Sequence, residues 1–342
     1  MSWIENIFNT KQENNIAPVD IIDPPVLYKS TQKIIKSVKS FYKSDFIAYW
    51  GASNSSISSN DVIVFHEILK KKKSNRLCLF VKSSGGSGKA SLRLIHLLRS
   101  IYEEITVLVP VECASAATML ALGADKIKMG PLSYLTAIDT SITHNLSPLD
   151  SDGDEVSVNQ NELDRVIKLW NQEKREKDKN SYKELYKYIH PLVFGSVDRA
   201  SSLAIKLTNE ILSYHMDDAD KISSISNHLN SEYPSHGYPI TAREAKKIGL
   251  NVSSLEENIH QELIELNHLY SEMSQRAYTD YNEYKYHDNQ ILTVVETEGI
   301  QIFYQKNKDS TWRKDDKQWV TTNDRSSWMK VDNGVKKVFY IR

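Results

Sequence analysis

Ser115 is the residue of this chain whose surroundings most suggest nucleophilic chemistry. In CASAATMLALGA (113–124), it begins a predicted helix directly after a strand and a turn. Helix N-termini have unpaired N–H groups and a positive potential, which stabilise negative charge developing on a bound carbonyl oxygen. Serine is also an ordinary N-cap residue, and that structural role remains open. The segment lacks the G-x-S-x-G nucleophile elbow, which argues against the α/β-hydrolase fold.

A glycine loop is expected to lie beside Ser115. SSGGSGK (83–89) follows one predicted strand, and its Gly86 precedes Ser115 by 29 residues. In a parallel sheet both segments lie at the carboxyl edge, where α/β proteins bind ligands. We therefore expect the N–H groups of Gly86 and Ala116 to converge on one oxygen. Glycine at position 86 would let the backbone approach the substrate closely.

The same loop does not fit a phosphate-binding motif. A Walker loop needs glycine where Ser83 stands and Ser or Thr where Ala90 stands. A dinucleotide fingerprint needs a third glycine at the position of Ser91. Nucleotide binding is therefore disfavoured, and no cofactor is predicted. Gly85 and Ser87 are instead candidate substrate-binding residues, with a plain strand-to-helix turn as the structural alternative.

Repeated βαβ units must position these residues. RLCLFVK (76–82) and ITVLVP (105–110) are apolar runs of strand length, and DKIKMG (125–130) predicts a third strand. Between the first two, ASLRLIHLLRSIY (90–102) has apolar residues at helical spacing. This alternation is typical of an α/β fold with parallel strands. The continuous apolar character of the strands indicates burial on both faces.

The rest of the chain divides by composition. Residues 1–45 are predicted to form an N-terminal extension, and residues 46–276 the main domain, with a helical insertion at about 160–230. Residues 285–342 alternate like short antiparallel strands and predict a small C-terminal β module. Three of the six tryptophans lie in that module.

Composition narrows the class of protein. The 342 residues include 43 Lys and Arg against 44 Asp and Glu, so neither nucleic acid nor an anionic membrane is expected as the main partner. Two cysteines suit a reducing compartment. The N-terminus lacks a signal-peptide pattern, and the longest apolar run is too short to span a bilayer. We expect a cytoplasmic protein without a membrane anchor. No metal site is predicted, because the histidines show no ligand spacing.

Several segments resemble one known family. SSGG, CASAATMLALGADKIKMGP and LTAID are similar to the serine dehydrogenase proteinases, which are Clp-crotonase-fold serine peptidases related to signal peptide peptidase A and Clp peptidase. Residues 219–250 resemble a later signature of that family. The resemblance covers roughly 30–252 and implies a Clp-crotonase-like fold. The chain departs from the family pattern at Ser84, Ala117, Thr136 and Ala137.

The resemblance also implies which groups would activate Ser115. Clp peptidases use Ser, His and Asp in that chain order, and here the last two residue types are exchanged. Asp139 falls at the histidine position, and His236 falls within one residue of the aspartate position. This implies His236 as general base and Asp139 as its orienting group. His144 and Lys168 remain alternative bases, and turn or cap roles remain open for His236 and Asp139.

The implied activity is that of a serine endopeptidase, which cleaves protein or peptide substrates through an acyl-enzyme on Ser115. Two alternatives stay open. A crotonase-like acyl-thioester enzyme would use the same two N–H groups without a nucleophilic serine. A catalytically inactive binding protein would keep the fold alone. A homo-oligomer is expected by analogy with the family.

Overall fold

The computed structural model describes residues 20–173 and 181–341. The start of the chain, where no signal peptide is predicted, lies outside the described residues, as do residues 174–180 of the predicted helical insertion. Within the described ranges, no helix is both long enough and apolar enough to cross a membrane.

Helices flank the sheet and build the insertion. They are α1 (Tyr28–Tyr42), α2 (Ser59–Ile68), α3 (Gly88–Arg99), α4 (Ala116–Leu122), α5 (Gln160–Glu173), α6 (Ser181–Leu185), α7 (Pro191–Ser213), α8 (Ala219–Ser231), α9 (Ala242–Lys247) and α10 (Glu257–Met273).

Strands form one large sheet and two small two-stranded sheets. They are β1 (Asp45–Gly51), β2 (Arg76–Lys82), β3 (Glu104–Val109), β4 (Glu112–Cys113), β5 (Lys126–Met129), β6 (Tyr134–Leu135), β7 (Ser141–Ile142), β8 (Val158–Asn159), β9 (Val252–Ser254), β10 (Ala277–Asn282), β11 (Lys285–Thr297), β12 (Ile300–Arg313), β13 (Gln318–Asp324), β14 (Ser327–Asp332) and β15 (Val335–Phe339). The three strands predicted between residues 76 and 130 are confirmed to within one residue at each end.

The centre of the large sheet is parallel and buried on both faces. Strands β1, β2, β3, β5 and β9 are neighbours in that order, and each pair is parallel. Alternate side chains of β1 enter two different cores, with Tyr49 on one side and Phe46 on the other. Helices α2, α3 and α4 cover the first face, and α1 and α10 cover the second. The predicted α/β fold with parallel strands is confirmed, and its apolar strands are buried because helices pack on both sides.

The C-terminal strands extend this sheet with antiparallel pairing. Strand β11 pairs with β1, with Trp50 opposite Val294, and β12, β14 and β15 follow outward. Strands β10 and β13 pair with the outer parts of β11 and β12, so the whole sheet has eleven strands. The sequence predicted antiparallel strands here but neither β10 nor the attachment to β1, because the alternation of residue types does not specify a pairing partner.

Candidate active site

The carboxyl ends of β2 and β3 bring the glycine loop and Ser115 side by side. A parallel bridge joins Ser83 to Cys113 just beyond the two strands. In it, the N–H of Ala114 donates to the carbonyl of Ser83 at 2.9 Å. The sheet therefore places the two segments together, as the βαβ connection predicted.

Two glycines of this loop have backbone conformations that L side chains rarely adopt. Gly85 has φ 111°, and a Cβ built there would lie 2.7 Å from Cβ of Ser115. Gly86 has φ 141°, and a Cβ there would lie 2.4 Å from the backbone nitrogen of Ile57. The missing side chain at position 86 makes room for the backbone of Ile57, and the predicted close approach of Gly86 to substrate stays a prediction. It is Gly85 that permits the close approach to Ser115.

Ser115 has a strained backbone and an unengaged hydroxyl. Its φ is 52° and its ψ is −118°, a sparsely populated region that costs a non-glycine residue about 1–3 kcal/mol. It precedes α4, but its side chain makes no capping hydrogen bond. The residue is partly exposed to solvent. The ordinary N-cap role is therefore not how this hydroxyl is used.

Two backbone N–H groups are available near Ser115. Within the described residues, neither Gly86 nor Ala116 donates its N–H to a protein acceptor. The neighbouring groups of the loop are occupied, because Ile57 donates to the carbonyl of Gly85 and accepts from the N–H of Ser87. Ala116 is the first residue of α4, where N–H groups lack intrahelical partners.

His236 and Asp139 form a hydrogen-bonded pair. Nδ1 of His236 lies 2.6 Å from Oδ1 of Asp139, whose side chain is 8% exposed. An ionised carboxylate can only accept, so Nδ1 is the donor and Nε2 is left as the unprotonated nitrogen of the neutral ring. The hydrogen bond to Asp139 raises the pKa of His236, and partial burial of the ring opposes this shift.

Long-range backbone pairing brings the two residues together. Leu135 and Ile240 form an antiparallel bridge with N–H to carbonyl distances of 3.0 and 2.9 Å. Next to it, the N–H of Ile138 donates to the carbonyl of Leu229 in α8 at 3.0 Å. The segments that carry Asp139 and His236 are therefore fixed against each other by main-chain contacts.

A cavity of about 530 Å³ contains these groups. The predicted site residues that line it are Ser115, His236, Asp139, Gly86, Ala116 and Ser87. Gly85 is buried behind the cavity wall and does not line it. Within the described residues the hydroxyl of Ser115 has no hydrogen-bond partner, so the structure brings it into one cavity with His236 without bonding the two. In enzymes without bound substrate, hydrogen bonds between catalytic side chains are often long and shorten only when substrate binds.

Ser87 lines the cavity, and its side chain also caps a helix. Its Oγ accepts the N–H of Ala90 at 3.3 Å and caps α3. Its substrate-binding role stays a prediction, as does that of Gly85.

The two alternative bases lie elsewhere. Neither His144 nor Lys168 lines the cavity. Nδ1 of His144 accepts the N–H of Leu146 at 3.0 Å, so this ring nitrogen is used inside its own turn. Lys168 is exposed on α5. Of the three candidate bases, His236 is therefore the one that lines the cavity with Ser115.

Two contributions to the site are not evident from the sequence. Leu203 and Leu207 of α7, with Met119, form an apolar wall of the cavity. Thr136 accepts the N–H of Ser115 at its Oγ1. The only sequence signal for Thr136 is its departure from the family pattern.

Fold and site together define a serine-peptidase-like protein. The sequence model of the Clp protease family matches residues 29–205, just over half of the chain. The chain therefore belongs to the Clp protease family, and the resemblance to Clp-crotonase-fold serine peptidases and their fold is confirmed.

Individual relatives are distant. An uncharacterized protein of Methanocaldococcus jannaschii, MJ0137, is 24% identical over 222 residues, which cover 65% of this chain and 68% of that protein. A variant of the 1510-N membrane-bound stomatin-specific protease matches 65% of this chain and 84% of its own at 13% identity and a TM-score of 0.40. ClpP1 from Listeria monocytogenes matches 68% of this chain and 99% of its own at 13% identity and a TM-score of 0.33. The fold assignment rests on the family match.

Proposed function

We propose that this protein is a serine endopeptidase with Ser115 as nucleophile, His236 as general base and Asp139 as the group that orients the imidazole. One observation carries the proposal: the hydrogen bond between His236 and Asp139 borders the same cavity as an unengaged serine hydroxyl. A buried carboxylate that fixes the tautomer of a histidine beside a serine is the arrangement that activates a hydroxyl.

The acylation half-reaction follows from these groups. Nε2 of His236 takes the proton of Ser115 as Oγ attacks the scissile carbonyl carbon. The carbonyl oxygen becomes an oxyanion that accepts hydrogen bonds from the N–H groups of Gly86 and Ala116. The imidazolium, stabilised by Asp139, then protonates the leaving amine. The C–N bond breaks and an ester on Ser115 remains.

Deacylation reverses the proton transfers. Nε2 of His236 takes a proton from water, and the resulting hydroxide attacks the ester carbonyl. The imidazolium returns its proton to Oγ of Ser115 as the ester bond breaks, which releases a carboxylic acid product. No cofactor takes part in this sequence. A protein or peptide would supply the scissile bond, and a homo-oligomer is proposed by family membership alone.

Labelling with a fluorophosphonate probe tests the assignment. The wild type should be labelled, and Ser115→Ala should abolish labelling, whereas Ser213→Ala, an exposed serine of α7, should leave it unchanged. His236→Ala should slow labelling by orders of magnitude, because the hydroxyl loses its proton acceptor.

His144→Ala is the matched histidine control. A larger loss for His144→Ala than for His236→Ala would contradict the assigned base. A wild type that the probe never labels would contradict the peptidase and favour a crotonase-like or inactive protein.

A further inference from the structure

Ser115 cannot keep its backbone conformation without support from its surroundings. Its φ of 52° lies in the left-handed region, which L residues leave unless neighbouring contacts hold them there. Two hydrogen bonds hold its backbone: the N–H of Ser115 donates to Oγ1 of Thr136 at 2.8 Å, and its carbonyl accepts the N–H of Met119 in the first turn of α4 at 3.1 Å. Whatever fixes Thr136 therefore also fixes the peptide plane of Ser115.

Thr136 is itself held by a buried threonine. Its N–H donates to Oγ1 of Thr118 at 3.1 Å, and its own hydroxyl donates to the carbonyl of Ala137 at 3.2 Å. The hydroxyl of Thr118 donates in turn to the carbonyl of Cys113 at 2.9 Å. Both threonines are buried, so water does not compete for these hydrogen bonds.

The two hydroxyls connect three segments of the site. Thr118 lies in α4, Cys113 ends the strand that leads to Ser115, and Thr136 lies three residues before Asp139. The backbone of Ser115 is thus joined to the segment that carries Asp139, the residue proposed to orient His236. Because Thr136 accepts the N–H of Ser115, that group is already occupied, whereas Ala116, the next residue, lines the cavity and within the described residues donates its N–H to no protein acceptor.

We propose that Thr136 is a positioning residue for Ser115, and that Thr118 fixes Thr136. This inference rests on the proposed function. Thr136 touches no reacting atom. It sets the direction of the Ser115 hydroxyl and of the Ala116 N–H, and a small misplacement of a catalytic group is enough to slow a reaction substantially.

Thr136→Val tests the inference, because valine keeps the branched shape and removes the acceptor for the N–H of Ser115. The second-order rate constant of fluorophosphonate labelling should fall by about 10–100-fold. With a peptide substrate, kcat should fall and KM should stay close to the wild-type value. Thr136→Ser, which restores the hydroxyl, should label within about threefold of the wild type.

Thr279→Val is the matched control. Thr279 is also buried, and its Oγ1 accepts the N–H of Ile22 at 2.9 Å in a part of the sheet away from the cavity. This variant should lose stability to a similar extent and label at the wild-type rate. An equal slowing in both variants would mean that the effect is only structural and would overturn the inference.

Thr118 gives a second route if Thr136→Val does not fold. Thr118→Val should slow labelling severalfold, and Thr118→Ser should restore it. A folded Thr136→Val or Thr118→Val that labels at the wild-type rate overturns this inference alone. A wild type without labelling at Ser115 overturns the proposed function, and this inference with it.

Discussion

At the scale of single residues, the carboxylate of Asp139 controls two properties of His236. It holds the proton on Nδ1, and it raises the pKa of the ring. A general base must be unprotonated to accept a proton. When the pKa of His236 is raised, activity on the acidic side is therefore lost at a pH closer to neutral. In the proposed mechanism, Asp139 therefore both orients the base and sets the pH range in which it works.

Asp139→Asn tests both effects of the carboxylate on His236, the raised pKa and the fixed position of the ring proton. Since the amide carries no charge, the pKa of His236 should fall toward its ordinary value, and the acidic limb of the labelling rate against pH should move to lower pH. The maximal rate should drop by on the order of ten-thousandfold, because the amide no longer fixes the reactive tautomer of the ring or stabilises the imidazolium. His144→Ala should leave the midpoint unchanged. An unshifted midpoint in Asp139→Asn would contradict the pairing.

At the scale of elements, α7 connects the insertion to the site. It begins at Pro191 after His190, whose ring accepts the N–H of Leu192 at 3.2 Å and caps the helix. One face of α7 packs on α3, α4 and α8, and Leu203 and Leu207 line the cavity. An element predicted to belong to a helical insertion therefore forms part of the cavity wall.

Gly195 in α7 offers a test of this helix. The residue is exposed, and a Cβ built there meets nothing within 4 Å. Gly195→Ala should raise the free energy of unfolding by about 0.5–1 kcal/mol, since glycine costs more backbone entropy than alanine in a helix. Denaturant unfolding measures this change. Gly85→Ala should instead lower the free energy of unfolding. Gly85 has a positive φ that alanine rarely adopts, and the added Cβ would clash with Cβ of Ser115.

At the scale of the molecule, one sheet runs through both the site and the C-terminal strands. Phe303 of β12 is fully buried and shares a core with Phe46 of β1 and Phe80 of β2. Residues from the first third and the last third of the chain thus fill this one core. We expect the described chain to unfold as a cooperative unit.

Phe303→Ala tests this continuity. The substitution should lower the free energy of unfolding by about 3–5 kcal/mol, because it leaves a cavity in a shared core. Val335→Ala, on the edge strand β15 and 67% exposed, should change it by no more than about 0.5 kcal/mol. Denaturant curves followed by fluorescence and by loss of probe labelling should coincide. Two separate transitions would show that the C-terminal strands fold independently.

Local patterns were sufficient for much of the parallel fold. The predicted strand at 76–82 has the bounds that the structure shows, because an uninterrupted apolar run of that length between a loop and a glycine turn is typical of a strand buried between helix layers. Residue types also predict that a helix begins directly after Ser115, as the structure shows. The pairing of His236 with Asp139 came from family resemblance, and their catalytic roles remain predictions.

Periodicity and short spacing act between near neighbours in the chain, so they are enough to predict the strand and helix segments around Ser115 and the glycine loop beside it. Three other features depend on the folded chain: the contact of His236 with Asp139, the hydrogen bond of Ser115 to Thr136 and the pairing of β11 with β1. These contacts join residues that are 97, 21 and more than 200 positions apart. Their partners are selected by the packing of whole elements, which no local pattern encodes.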